Sequence, residues 1–202
     1  MTTTITHPLD FIVTLDSKPM HIALFYEDEE YAREIEYAFL KNGLAKSQHC
    51  IYTTHGGDAD IERIRTEMIK HGIDVSKFEP AGFLHILKIS DPRDDPSGFE
   101  RGIENLKNKI VGRKKPPIRL VSRFIKEVES EDDARANMLV ERTIHSRFFD
   151  DYQGGLFMCP YPVDKVPSQV RAEWFLNHMQ HHHAAVFAPK YFEGSGLVLE
   201  RY

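Results

Sequence analysis

The chain is predicted to fold as a single α/β domain, three layers deep, around a mostly parallel sheet of about six to seven strands. Three observations predict this. Short, nearly continuous apolar runs alternate with segments of helical period along most of the chain. That is the pattern of βαβ units whose strands are buried on both faces. The length of 202 residues fits one domain of about 100–200 residues. Hydrophobic residues make up 41% and aromatics 11% of the chain, enough for a packed core and too many for a disordered one.

Residues 1–18 read as an N-terminal arm, with Phe11-Ile12-Val13 as an edge strand, and residues 19–202 as the domain. The first strand is His21-Ile22-Ala23-Leu24-Phe25-Tyr26, apolar almost throughout. A helix follows from about Asp28, with Tyr31, Ile35, Ala38 and Phe39 on one stripe and Gly43 as its C′ residue. His49 to Thr54 is the second strand. Asp58 then caps a helix carrying Ile61, Ile64 and Met68, which ends near His71-Gly72.

Phe83 to Ile89 is the third strand, stopped by Asp91-Pro92. Phe99, Ile103, Leu106 and Ile110 stripe the next helix, which Gly112 ends. The linker Arg113-Lys114-Lys115-Pro116-Pro117 leads into a fourth strand, Ile118 to Ile125. A charged helix spans roughly 131–149. Leu156-Phe157-Met158-Cys159 is the fifth strand, a helix lies near 168–181, Ala184 to Ala188 is the sixth strand, and Leu197-Val198-Leu199 adds an antiparallel edge.

Charge and composition exclude several functions. With 26 Lys+Arg against 31 Asp+Glu the formal charge is −5, which argues against nucleic acid and against a polybasic membrane-surface protein. No stretch approaches the roughly 18 apolar residues of a membrane span. The N-terminus has neither the basic nor the apolar region of a signal peptide, so a cytoplasmic location is expected. Cys50 and Cys159 are too few for a disulfide framework.

The turn after the first strand reads Tyr26-Glu27-Asp28-Glu29-Glu30. Phosphate-binding α/β domains place glycines and a lysine there, so that backbone N–H groups and an ammonium reach the phosphates. Here that turn holds four carboxylates, which repel an anion. Neither a G-x-x-x-x-G-K-[ST] nor a G-x-G-x-x-G motif occurs in the sequence. Nucleophile motifs are also missing: there is no G-x-S-x-G, and Gly194-Ser195-Gly196 follows the last helix rather than preceding one.

The string HIALFYEDEEYAREIEYAFLKNGLAKSQHCIYTT, His21 to Thr54, resembles the MEDS (methanogen/methylotroph sensory) domain family. IRLVSRFI resembles the family's Arg-containing strand, and Glu141 falls where the family often has a glutamate. Met158-Cys159-Pro160-Tyr161 resembles its Cys-x-Tyr strand, and His181-His182-His183 overlies a late histidine. The resemblance runs from about residue 20 to about 190. It implies a RecA-like fold of the circadian-clock ATPase type without a Walker A loop, and no cofactor. It also implies a stand-alone sensory role: binding of a small organic ligand, with output through a separate signalling partner such as a kinase or transcription regulator. Arg123 departs from the family, falling near an acidic position.

The crevice beyond the carboxyl ends of parallel strands is where ligands collect, and it nominates Tyr26, His55, Asp91, Cys159 and Tyr161. Tyr26, Cys159 and Tyr161 are nominated by the resemblance as well. Aromatic rings and a thiol suit a weakly polar organic molecule; the alternative is that they complete the core. His21 opens its strand at the opposite end, as a polar contact, a hinge to a partner, or a structural histidine bonding a backbone carbonyl. Arg119 and Arg123, on one strand face, are placed to hold an anion or to form structural ion pairs.

His178 and His182 stand one helical turn apart, the spacing of paired metal ligands, although Met179 replaces the glutamate of H-E-x-x-H. A metal-dependent enzyme built on this pair, with His21 or Cys159 as a further ligand, is therefore an alternative function. A degenerate ATPase-like interaction subunit is another, and a homo-oligomer is compatible with all three.

Overall fold

In the computed structural model, residues 7–16, 18–112, 117–146, 155–189 and 196–200 are described. Their central feature is a seven-stranded sheet in the order β3-β2-β4-β5-β1-β6-β7. The strands are β1 (Met20–Tyr26), β2 (His49–Thr54), β3 (Leu84–Lys88), β4 (Ile118–Val121), β5 (Leu156–Pro162), β6 (Ala184–Ala188) and β7 (Leu197–Glu200). All neighbouring pairs are parallel except β6 with β7.

The helices are α1 (Pro8–Thr14), α2 (Glu29–Ala45), α3 (Asp58–Lys70), α4 (Val75–Phe78), α5 (Phe99–Val111), α6 (Glu131–Ser146) and α7 (Ser168–His181), with a short 3₁₀ turn at Pro92–Asp94. Both faces of the sheet are covered, and the core divides accordingly. On one face Ile22, Leu24 and Tyr26 pack with Ile35, Phe39 and Leu40 of α2. On the other, Ala23, Phe25, Phe157, Cys159 and Tyr161 pack with Met138 of α6 and Trp174 of α7. Period 2 along β1 and β5 decides which side chain joins which core.

The structure corrects several local expectations. Phe11-Ile12-Val13 lies in helix α1, not in a strand; Pro8 at its first turn suits a helix start. Gly57, not Asp58, is the N-cap of α3. Gly43 does not end α2, which continues to Ala45. It allows a close approach instead: a Cβ there would lie 2.5 Å from Arg119 Cδ and 2.8 Å from Cys50 Sγ. The fourth strand stops at Val121 rather than Ile125, and the fifth extends through Pro162. The linker at 113–116, the end of the charged helix beyond Ser146 and Gly194-Ser195 lie outside the described residues.

The different lengths of β4 and β5 shape the molecule. The last paired residues of the two strands are Val121 and Met158, and Ser122 N–H donates to Met158 O at 3.1 Å. Beyond this point β5 continues beside β1 alone, with Leu24 opposite Pro160 and Tyr26 opposite Pro162. Segment 122–128 turns away from the sheet, and the gap between it and the end of β5 is a cavity.

Candidate functional site

The cavity measures about 190 Å³ and lies at the carboxyl ends of β1, β4 and β5, where open parallel sheets place ligands. Tyr26, Ser122, Arg123, Phe124, Asn137, Glu141 and Tyr161 are among the residues that line it. One wall is a polar network. Arg123 Nη2 donates to Tyr26 Oη at 3.0 Å and to Glu36 Oε1 at 3.1 Å, while Tyr52 Oη donates to Glu36 Oε2 at 2.8 Å. Glu36 is fully buried on α2, and the Arg123 guanidinium is its ion-pair partner there.

The floor is made by Tyr161 and Glu141. Behind them, between the sheet and helices α6 and α7, four side chains converge. His21 Nε2 lies 3.1 Å from Cys159 Sγ and 3.5 Å from Glu141 Oε2, and His182 Nε2 lies 3.5 Å from the same Glu141 oxygen. All four donor atoms fall within 4.8 Å of one another. The His21 and His182 rings are 3.9 Å apart by centroid, and none of the four residues is more than 2% exposed.

Local folding sets this arrangement. His21 and Cys159 share a sheet face because His21 pairs with Phe157, two residues before Cys159. His182 is the C-cap of α7 and returns its ring beneath the helix, where its Nδ1 meets His178 O at 2.8 Å. His21 Nδ1 meets His181 O at 3.0 Å. A ring nitrogen bonded to a carbonyl must carry the proton, so each Nε2 presents its lone pair to the cluster.

Burial dominates the electrostatics. It pushes the Glu141 carboxyl up to about 8. It raises the Cys159 thiol well above its usual range, with Glu141 adding to the effect, and it holds both imidazoles well below theirs. With protons alone the cluster is therefore neutral. Glu141 Oε2 and His182 Nε2 have no hydrogen-bond partner among the described residues, a costly state for buried polar atoms, while the Tyr161 hydroxyl faces Glu141 and Cys159.

The residues nominated by the sequence separate. Tyr26 and Tyr161 line the cavity. Cys159 is in the middle of β5, one layer beneath the crevice, in the cluster with His21. His21 bonds a backbone carbonyl, as its structural reading expects, and also joins that cluster. His55 is outside the cavity; its Nε2 bonds Arg123 O at 2.8 Å and anchors the segment carrying Arg123. Asp91 holds the same segment through the Lys126 N–H.

Arg119 lies at the amino end of the sheet. Its guanidinium donates to Gln48 Oε1, Phe39 O, Leu15 O and Asn42 Oδ1, tying α1 and α2 to β4, and it does not line the cavity. Because β4 ends at Val121, Arg119 and Arg123 do not share a strand face. The His178 ring stacks on His182 at 5.9 Å but is not among the converging donor atoms: its Nδ1 bonds Trp174 O at 2.7 Å, and His182 groups with His21, Glu141 and Cys159 instead. Glu141 was nominated only by the resemblance. A signal was present in α6, where Ala134, Met138, Glu141 and Ile144 form its buried stripe, so that a carboxylate occupies a core position.

The domain is thus a mostly parallel α/β sheet with a cavity at its strand ends and an acidic turn where phosphate-binding folds place glycines. The chain matches the family "MEthanogen/methylotroph, DcmR Sensory domain" over residues 20–179. It belongs to that family, MEDS, a family of sensory domains. None of the curated protein sequences matches it. Among solved structures it is similar to a KaiC-like protein from the hyperthermophilic archaeon Pyrococcus horikoshii. The TM-score is 0.57 at 17% identity, covering 91% of this chain and 79% of that one. No helix among the described residues is long and apolar enough to cross a membrane.

Proposed function

We propose that this sensory domain binds a small organic molecule in the cavity bounded by Tyr26, Arg123, Phe124 and Tyr161, and signals through a separate protein partner. The observation that supports this reading is the cavity itself, at the strand ends of a family member. Its volume of about 190 Å³ is well below the roughly 300–1,000 Å³ of drug-sized ligand sites, so the ligand has few carbon atoms. Aromatic faces of Tyr26, Phe124 and Tyr161 supply apolar contact, and Arg123 supplies one cationic donor for a polar end. Ligand contact with Arg123 or Phe124 bears on segment 122–128, which can transmit occupancy to a partner.

The single tryptophan tests this without a label. Trp174 is buried edge-on to Tyr161, with ring centroids 5.5 Å apart, and its Nε1–H donates to Asn137, a cavity-lining residue, at 2.8 Å. Titration with a panel of short-chain alcohols, amines and carboxylates, run beside thermal melts, should find compounds that shift Trp174 emission and raise Tm. Lys165→Phe, which puts a bulky side chain at an exposed residue lining the cavity, should weaken both responses. If no compound of the panel moves either signal, the ligand-binding reading is wrong.

A further inference from the structure

The geometry points to a divalent transition-metal site, suited to zinc, formed by His21 Nε2, His182 Nε2, Cys159 Sγ and Glu141 Oε2 behind the cavity floor. The first argument is distance. Tetrahedral zinc with bonds of about 2.0–2.1 Å to nitrogen or oxygen and about 2.3 Å to sulfur sets ligand atoms roughly 3.3–3.6 Å apart. The separations of 3.1, 3.5 and 3.5 Å lie close to that spacing, and all four donor atoms fall within 4.8 Å of one another.

The second argument is orientation. Both imidazoles give their Nδ1–H to a backbone carbonyl, at 3.0 and 2.8 Å, the outer-shell contact that fixes a metal-ligating histidine with its other nitrogen toward the ion. The carbonyls belong to His181 and His178, so the end of α7 supplies both one ligand and the groups that aim two.

The third argument is charge. A divalent ion, one thiolate, one carboxylate and two neutral imidazoles make a site of zero net charge, which a dry interior accepts. On binding, the Cys159 thiol and the Glu141 carboxylic acid each lose a proton to solvent, and bonds from the metal to sulfur and oxygen replace the S–H and O–H bonds. The ion would also partner Glu141 Oε2 and His182 Nε2, which otherwise have no hydrogen-bond partner among the described residues. A thiolate with two imidazoles favours zinc, cobalt, nickel or copper over magnesium or calcium. The alternative is a metal-free neutral cluster in which Cys159 S–H donates to His21 Nε2.

The test uses untagged full-length protein, purified without chelator. Native mass spectrometry should show one zinc-mass adduct per chain, and exchange into cobalt(II) should give a thiolate-to-cobalt band in the near ultraviolet. Cys159→Ser should lose the band, and His182→Ala should lower metal affinity by at least the about 10–100-fold that outer-shell removals cost. His181→Ala, which removes an imidazole of the histidine run but keeps the backbone carbonyl that orients His21, should keep metal and band. Wild-type protein that takes up neither zinc nor cobalt overturns the assignment. So does metal retained by Cys159→Ser and lost in His181→Ala, the result for adventitious binding at the histidine run. Should the variants fail to fold, the wild-type cobalt spectrum still decides, because the band requires a thiolate ligand. Metal uptake is read with no organic compound present, so this assignment and the ligand-binding reading can fail separately.

Discussion

Arg123 reaches from the segment after β4 to the fully buried carboxylate of Glu36 on α2, 3.1 Å away, and covers the Tyr26 ring on the way, 5.5 Å from its centroid. This pair joins one wall of the cavity to the helix that follows the acidic turn. Arg123→Met should therefore destabilise the fold by about 3–5 kcal/mol, the cost of leaving a buried charge without its partner. Glu36→Gln combined with Arg123→Met should recover part of that loss. Urea denaturation of the two single variants and the double variant measures the coupling; additive losses would mean that the pair does not act as one unit.

Gly43 is predicted to resist substitution. Its missing Cβ is what allows Arg119 and Cys50 to pack against α2. Gly43→Ala should cost about 1–3 kcal/mol, as overpacking does, and Cys50→Ala should relieve part of it by vacating the 2.8 Å neighbour. Denaturation midpoints of the single and double variants check this.

Nucleotide should not bind at the first turn. Asp28 accepts the Tyr31 N–H at 2.8 Å and caps α2, with Glu29 and Glu30 following in its first turn. The helix N-terminus that could attract phosphate is already occupied by carboxylates. Calorimetric titration with ATP and magnesium should give no binding heat, and Asp28→Ala should lower stability by about 0.5–2 kcal/mol without creating nucleotide affinity.

Acid should weaken the anchoring of segment 122–128 through Asp91. Burial raises its pKa, but hydrogen bonds from the Arg93 side chain and backbone and from the Lys126 N–H outweigh this and leave it below 3.8. A folded-state pKa below the unfolded one gives stability that is present above the unfolded value and is lost as pH falls through the folded value. The slope of unfolding free energy against pH below 3.8 should be shallower in Asp91→Asn than in wild type. Equal slopes would remove Asp91 from the account.

The sheet was legible in the sequence because apolar runs of strand length stand between helices of clear period. The order of all seven strands along the chain and the antiparallel edge follow from that pattern. Strand ends were less legible: Ser122-Arg123-Phe124-Ile125 continues the alternation of β4, yet only tertiary pairing decides where the ladder stops. The site was legible in parts. Tyr26 and Tyr161 follow from topology, whereas the meeting of His21 with Cys159 depends on a diagonal contact between strands 138 residues apart. The i, i+4 spacing of His178 and His182 suggested a pair, but His182 lies past the end of α7, and the break in the helix turns it toward β1. Local period cannot report such a turn.

Two prolines near the end of β5 have a consequence for how the cavity persists. In a parallel strand the N–H and C=O of one residue point to the same neighbour, and alternate residues serve alternate neighbours. Met158 O bonds Ser122 N–H on the β4 side, while Val163 N–H bonds Tyr26 O on the β1 side. Pro160 and Pro162 thus fall at the positions that would donate toward β4, and neither has a hydrogen to give. Segment 122–128 would find acceptors there but no donors, so a full ladder cannot close the gap. The opening is written into the backbone, independent of whatever fills it.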